Sequence, residues 1–145
     1  MIEPTIDNGV WGEVDNITKR PASSIATREI PTSPGIYVWF YRGEPVYVGQ
    51  ALGKQGLRGR LRSHLAKGPD LSRSTLRASV AVAQLGIDRA TARRRPTVME
   101  SHDIEAVNSW LGACDLGWIE CPTASEAHAK EVALRSDWLP PLNRI

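Results

Sequence analysis

The stretch from Pro34 to Gly49 constrains this chain more than any other. It holds two β-prone runs, Gly35 to Tyr41 and Pro45 to Gly49, which are separated by Arg42-Gly43-Glu44. Short runs of Val, Ile, Tyr, Trp and Phe on either side of a Gly-containing turn are typical of a β-hairpin. The sequence therefore predicts a hairpin as its first well-patterned element.

Side-chain alternation along a strand divides the hairpin residues between two faces. In the first strand the two sets are Ile36, Val38 and Phe40 on one face, and Tyr37, Trp39 and Tyr41 on the other. In the second strand Val46 and Val48 are expected to share a face, with Tyr47 pointing the opposite way. Tyr37 and Tyr47 can then present their two phenol groups to the same site. The alternative is that both are ordinary half-buried strand tyrosines.

The length and composition are those of one globular domain. A chain of 145 residues can bury a single hydrophobic core, and 41% hydrophobic with 23% charged residues argues against global disorder. No apolar run approaches the roughly 18 residues that span a membrane, and residues 1–8 lack the apolar core of a signal peptide. We therefore expect a cytoplasmic protein without membrane contact, with Cys114 and Cys121 as reduced structural thiols.

Positive charge is concentrated in the middle of the chain. The net charge is only +2, but residues 54–95 carry eleven Lys and Arg against two Asp. Such asymmetry is typical of a surface that faces a polyanion, although a solvated basic face gives the same pattern. The predicted nucleic-acid contacts in this segment are Lys54, Arg58, Arg62, Arg73 and Arg77.

Apolar spacing and helix start and stop residues predict four helices and a third strand. The helices are expected over 57–67, 72–85, 97–111 and 123–138, and the strand over 116–121. Thr97 and Thr123 are the expected caps of the last two helices, each followed three residues later by Glu. Residues 1–33 are weakly patterned and are expected to form a lead-in arm with one short helix over 23–30. Residues 89–96 have no apolar anchor and predict an exposed loop.

Four polar residues on these elements are candidates for chemistry. Arg60 and His64 are four residues apart and stack on one face of the first helix. Glu131 interrupts the apolar stripe of the last helix, where a carboxylate must be salt-bridged, protonated or bound to metal, because an isolated buried charge is very unfavourable. Asn143 follows a stiff Pro-Pro pair that would aim it in a definite direction, although a simple capping role is the alternative.

Taken together, these residues resemble the GIY-YIG nuclease family. Gly35-Ile36-Tyr37 matches the first family motif, and Tyr47-Val48-Gly49 matches the second with Val in place of Ile. The other family positions are matched, in order, by Arg60, His64, Glu131 and Asn143. Either tripeptide alone is a weak signal, whereas the ordered set from residue 35 to the C-terminus is a specific one.

The resemblance implies an α/β (α+β) domain over 34–145, in which a three-stranded antiparallel sheet is flanked by helices. About 50 residues, 67–116, form a longer helical segment than in the shortest family members. The implied activity is that of a metal-dependent endonuclease that hydrolyses DNA phosphodiester bonds with one Mg²⁺ or Mn²⁺ held by Glu131. The implied catalytic residues are Tyr37, Tyr47, Arg60, His64, Glu131 and Asn143.

Each of these residues has an expected role. Tyr37 is the first choice for the general base, and Tyr47 positions water or phosphate. Arg60 offers a planar fork of donors to phosphate oxygens. His64 acts as a relay for the Tyr37 proton or as an alternative base, and Asn143 fixes the site by hydrogen bonding.

Three functions are compatible with this resemblance. The leading one is a restriction-like or other host-defence endonuclease. The others are a structure-specific repair or recombination nuclease that works with a partner, and an inactive nucleic-acid-binding module, against which the retention of Glu131 argues. The sequence does not exclude RNA as the substrate, and it leaves open a homodimer or a protein partner.

Overall fold

Four antiparallel strands form the centre of the structure, a computed structural model that describes residues 9–145. They are β1 (Arg20–Pro21), β2 (Gly35–Tyr41), β3 (Glu44–Ala51) and β4 (Asp115–Glu120), in the order β1-β4-β2-β3. The predicted antiparallel sheet is confirmed, but it has four strands rather than three, because β1 pairs with Leu116 and Asp115 of β4. Residues 1–8, for which we expected no signal peptide, lie outside the described residues.

A two-residue turn joins β2 to β3 in the predicted hairpin. Both turn residues have positive φ angles, 52° at Arg42 and 83° at Gly43. This is the geometry of the hairpin turns whose twist matches that of the flanking strands. The turn therefore sets the start of the β2–β3 ladder, in which Tyr41 pairs with Glu44.

A β-bulge changes the face of the sheet to which one hairpin side chain points. Trp39 pairs with Tyr47 and Phe40 pairs with Pro45, so Val46 is an extra residue in β3. The prediction that Val46 and Val48 share a face is wrong for this reason. Val46 packs against the core on the side of Tyr47, whereas Val48 belongs to the core on the opposite side of the sheet.

Helices cover both faces of the sheet, and the four predicted ones are confirmed with shifted bounds. The helices are α1 (Trp11–Asp15), α2 (Gly56–Leu65), α3 (Thr75–Leu85), α4 (Arg89–Ala92), α5 (Ser101–Gly112) and α6 (Ala124–Asp137). The larger core, with Tyr37, Tyr47 and Leu61, lies on one face of the sheet, and a smaller core with Val38 and Leu134 lies on the other.

Helix starts differ from the expected ones where another side chain provides the cap. α3 begins at Thr75 because Ser74 Oγ accepts a hydrogen bond from the backbone N–H of Arg77. Asp70 instead accepts from the backbone N–H and the hydroxyl of Ser72, before the helix. At the last helix the predicted cap is confirmed, since Thr123 Oγ1 accepts from the backbone N–H of Glu126.

Three shorter predictions are corrected by the structure. Thr97 does not cap α5, which begins at Ser101; its hydroxyl accepts from the backbone N–H of Met99. Residues 89–96 are not wholly an exposed loop, because they contain α4, with Ala92 buried. Residues 23–30 form no α-helix; two 3-10 turns occupy Ala22–Ser24 and Thr27–Glu29.

Residues ahead of the hairpin take part in both cores. Trp11 and Val14 of α1 are buried in the smaller core, and Ile30 is buried in the larger one. The division of the chain at residue 33 stays a prediction. Cys114 and Cys121 are both buried and free, and among residues 9–145 no helix is long and apolar enough to cross a membrane.

Arg77, one of the predicted nucleic-acid contacts, is buried rather than exposed on the surface. Its side chain is only 1% exposed. The guanidinium donates to the carbonyl oxygens of Gly68 and Asp70 and to Asn108 Oδ1, at 2.6, 3.4 and 2.9 Å. Arg77 therefore ties α3 to the preceding turn and to α5, and we do not retain it as a nucleic-acid contact.

We predict that Arg77→Ala lowers the free energy of unfolding by about 2–4 kcal/mol, because it leaves buried acceptors without a partner. Arg73→Ala is the matched control. Its side chain is 73% exposed and its contact with Asp70 is 3.9 Å long, so we expect a change within about 0.5 kcal/mol. Urea unfolding of both variants checks this, and equal effects would contradict the structural role of Arg77.

Candidate active site

The phenol of Tyr37 lies at the centre of the candidate site. Its side chain is 1% exposed, and its hydroxyl lies 2.7 Å from Nε2 of His64. The ring of Tyr47 stacks nearby, with the two ring centres 6.4 Å apart at an interplanar angle of 28°. The structure therefore brings the two phenols together as the strand alternation predicted.

Two motif glycines make room for this arrangement. Gly49 pairs with Tyr37 across the ladder, and a Cβ atom added at Gly49 would lie 2.2 Å from the Tyr37 hydroxyl oxygen. At Gly35 an added Cβ would lie 2.3 Å from the carbonyl oxygen of Ile119 in β4. The phenol can therefore lean over β3 only because position 49 has no side chain.

His64 connects Tyr37 to the start of α3. Its Nδ1 lies 2.6 Å from Ser74 Oγ, the same atom that caps α3. Burial, together with the smaller effect of the positive charges of Arg60 and Arg77, lowers the pKa of His64 to about 3. His64 is therefore a neutral imidazole near pH 7.

Ser74 and Thr75 were not among the predicted site residues, although both contact them. The hydroxyl of Tyr47 lies 2.7 Å from Thr75 Oγ1, and Arg60 Nη2 donates to that same oxygen at 3.4 Å. A Ser at the start of a helical pattern is a recognisable cap signal, but nothing in a single sequence says which loop the cap will face.

Arg60 lies between the phenols and an open cleft. It is half-buried on α2 and lines a cavity of about 350 Å³. The other walls are Gly59, Ser63 and residues 51–56. A planar guanidinium at the wall of a cleft is suited to bidentate binding of phosphate oxygens.

The electrostatics of Tyr37 show which groups act on it. Burial raises the pKa of Tyr37 well above its ordinary value, and Tyr47 and Glu131 raise it further. The positive charge of Arg60 acts in the opposite direction. Tyr47 and His64 therefore contact the phenol directly, and the charges of Arg60 and Glu131 act on it.

Glu131 is a mostly buried carboxylate on α6. It is 8% exposed, and burial raises its pKa, with the charges of Arg135 and His128 acting against that rise. Arg135 Nη1 lies 3.9 Å from Glu131 Oε2, and the side chain of Arg135 is 44% exposed. A contact of that length and exposure is a weak ion pair, so the carboxylate keeps capacity for another cation.

The donor set suits a hard divalent cation. Among residues 9–145 no group of three or more His, Cys, Asp or Glu side chains is placed to hold a metal ion. Mg²⁺ commonly binds through one or two carboxylates, water and substrate phosphate rather than in an all-protein cage. Glu131 fits that mode of binding.

Asn143 binds the backbone of the hairpin with both ends of its amide. Its Oδ1 accepts from the backbone N–H of Val48, and its Nδ2 donates to the Val48 carbonyl oxygen, both at 2.9 Å. Asn143 lies in the 3-10 turn Pro141–Arg144, directly after Pro140. The turn thus holds β3 in place beside Tyr47 and Gly49.

The predicted nucleic-acid residues divide into two groups. Lys54, Arg62 and Arg73 are exposed on the surface. Arg58 is half-buried and donates to the carbonyl oxygens of Ile30 and Arg28, at 2.8 and 3.2 Å. Arg58, like Arg77, is therefore largely engaged in holding segments of the fold together.

Residues 35–144 match the family model of the GIY-YIG catalytic domain. Comparisons with curated proteins and with solved structures found no match. The matched range covers most of the chain, which therefore belongs to the GIY-YIG family and carries a nuclease domain that hydrolyses phosphodiester bonds of a nucleic acid. The predicted resemblance is confirmed.

We predict that His64 makes the protein less stable as the pH falls from 6.5 towards 4. Because the folded pKa lies below the unfolded value of about 6.5, the unfolded chain takes up this proton first. The free energy of unfolding should drop by about 1 kcal/mol between pH 6 and pH 5 from this group alone.

Urea unfolding of the protein and of His64→Gln at several pH values measures this contribution. The variant should show a shallower pH dependence, since His102 and His128 are present in both proteins. Equal slopes would contradict a buried neutral His64.

Proposed function

We propose that this protein is a divalent-metal-dependent DNA endonuclease. The observation that supports this most is the Tyr37 phenol held against His64 and Tyr47, with the charges of Arg60 and Glu131 acting on it. A binding module has no need for a mostly buried carboxylate at position 131, whereas phosphodiester hydrolysis uses a metal ligand, a phosphate-binding cation and a base.

Glu131 is the proposed metal ligand, and the ion is Mg²⁺ or Mn²⁺. Such an ion supplies Lewis-acid neutralisation of the charge that develops on the phosphate and on the leaving oxygen. Arg60 binds the same phosphate from the cleft side. Thr75, which lies within hydrogen-bond distance of both Arg60 and Tyr47, orients these two side chains.

Tyr37 and His64 form the proposed proton relay. A free phenolate at Tyr37 is unfavourable, because burial raises its pKa. The attacking water instead gives a proton to the Tyr37 oxygen as the Tyr37 proton passes to Nε2 of His64. Tyr37 then carries no net charge at any stage, the Nδ1–H group of His64 donates to Ser74, and the leaving oxygen takes its proton from solvent.

Substrate binding makes His64 a better base. The positive charges of Arg60 and Arg77 are two of the causes that lower its pKa. A phosphate held by Arg60 neutralises one of those charges, and negative charge develops on the phosphate during attack. Both changes favour a protonated His64 in the transition state.

The biological role is part of the proposal. Exposed Lys54, Arg62 and Arg73 support binding of a polyanionic strand near the site. We place a restriction-like or host-defence role first, and a structure-specific repair nuclease with a partner second. The retained constellation argues against an inactive binding module.

We expect the purified protein to nick supercoiled plasmid with Mg²⁺ or Mn²⁺, and Glu131→Gln to lower the rate by about a hundredfold or more. Glu126→Gln is the matched control, since it is the same substitution at an exposed position of α6. Gel analysis of plasmid forms measures both. Binding without cleavage across several DNA structures would contradict the enzyme proposal.

The relay predicts that His64→Ala lowers single-turnover cleavage by at least about tenfold across pH 6–9, with DNA affinity retained. With DNA far below saturation, the wild-type rate should show no acid limb near pH 6.5, because it then reports the free protein, in which the pKa of His64 is about 3. Undiminished cleavage by His64→Ala throughout this range would exclude the relay.

A further inference from the structure

His128 has a specific position beside Glu131. The two residues are three apart on α6, a spacing that places side chains on the same side of a helix. His128 also acts electrostatically on the Glu131 carboxyl group. An exposed histidine with no other relation to the site is the simpler interpretation of the sequence, but the contacts of His128 distinguish it from such a residue.

A hydrogen bond from the sheet fixes one ring nitrogen of His128. Nδ1 lies 2.9 Å from Oε1 of Gln50 in β3, the residue that directly follows Gly49. A carboxamide oxygen only accepts hydrogen bonds, so Nδ1 is the donor, and in a neutral imidazole Nε2 then carries the lone pair. This is how metal-binding histidines are held in proteins, with one nitrogen tied to an acceptor and the other free to coordinate.

The contacts of His102 differ from those of His128. It is also an exposed histidine on a helix, but its ring nitrogens lie 3.2 Å from Glu100 and from Asp103. Both nitrogens of His102 are therefore occupied by carboxylates of its own segment. His128 instead is tied to the strand that carries Tyr47 and Gly49, and within the described residues its Nε2 makes no hydrogen bond or ion pair.

We propose that His128 Nε2 is a second protein ligand of the metal ion that Glu131 holds. This inference rests on the proposed function, because it uses the same ion. The site then offers one carboxylate oxygen and one imidazole nitrogen, with water and substrate phosphate as the remaining ligands. Imidazole favours Mn²⁺ and later first-row metals over Mg²⁺, which prefers oxygen ligands.

Metal binding without DNA tests the proposal independently of activity. Isothermal titration with MnCl₂ and with MgCl₂ gives two dissociation constants for each protein. We expect His128→Ala to weaken Mn²⁺ binding by about tenfold and Mg²⁺ binding by less than about threefold, so that the Mn²⁺ preference falls. Glu131→Gln should weaken the binding of both ions, and His102→Ala should change neither.

The outcomes separate this inference from the proposed function. If Glu131→Gln abolishes binding while His128→Ala leaves the ratio of the two constants unchanged, the ligand role of His128 is wrong and the Glu131 site stands. If Glu131→Gln changes neither constant, the proposed metal site itself is wrong, and the inference falls with it. His128→Gln serves as a second variant, and thermal unfolding of each variant confirms that it is folded.

Discussion

The hydrogen bond between the Tyr37 phenol and the His64 imidazole is the contact on which the rest of the site depends. It joins the central strand β2 to α2, and both side chains are almost fully buried. Gly49 clears the space that the phenol fills, and Ser74 holds the far side of the imidazole. Arg77, which donates to Ser74 Oγ through its backbone N–H, anchors this arrangement through its own buried side chain.

Burial keeps both Tyr37 and His64 neutral. It raises the pKa of Tyr37 and lowers that of His64, so neither group ionises alone near pH 7. A pair of this kind moves a proton only when an outside charge compensates for the one that forms. Arg60 at the wall of the cleft and Glu131 on α6 link the pair to the place where a phosphate and its metal ion would lie.

Much of the fold and site follows from local sequence signals. The hairpin, the larger helices and the Thr123 cap were predictable, because alternation, helical spacing and cap residues are local properties. The bulge at Val46 and the two-residue strand β1 were not, because neither leaves a periodic trace in the sequence. The burial of Arg77 was not predictable, because a basic residue four positions after Arg73 gives the same sequence pattern whether α5 or solvent covers that side of the helix.

The site residues were predicted as a set through the family resemblance and not through geometry. The roles of Ser74 and Thr75 could not be predicted from the sequence, because they depend on contacts in the folded structure. These contacts are with His64, Tyr47 and Arg60. The contact of His128 with Gln50 is not visible in the sequence for the same reason, because it spans 78 positions.

The amide of Asn143 occupies the outer side of β3 in the way that a neighbouring strand would. β3 is an edge strand, and an edge strand with free N–H and C=O groups invites pairing with another chain. Asn143 fills both backbone positions of Val48 without bringing a strand of its own. The residue that holds β3 beside Tyr47 and Gly49 thus also blocks strand addition at Val48, so an ordered site and protection from edge-to-edge self-association arise from one side chain.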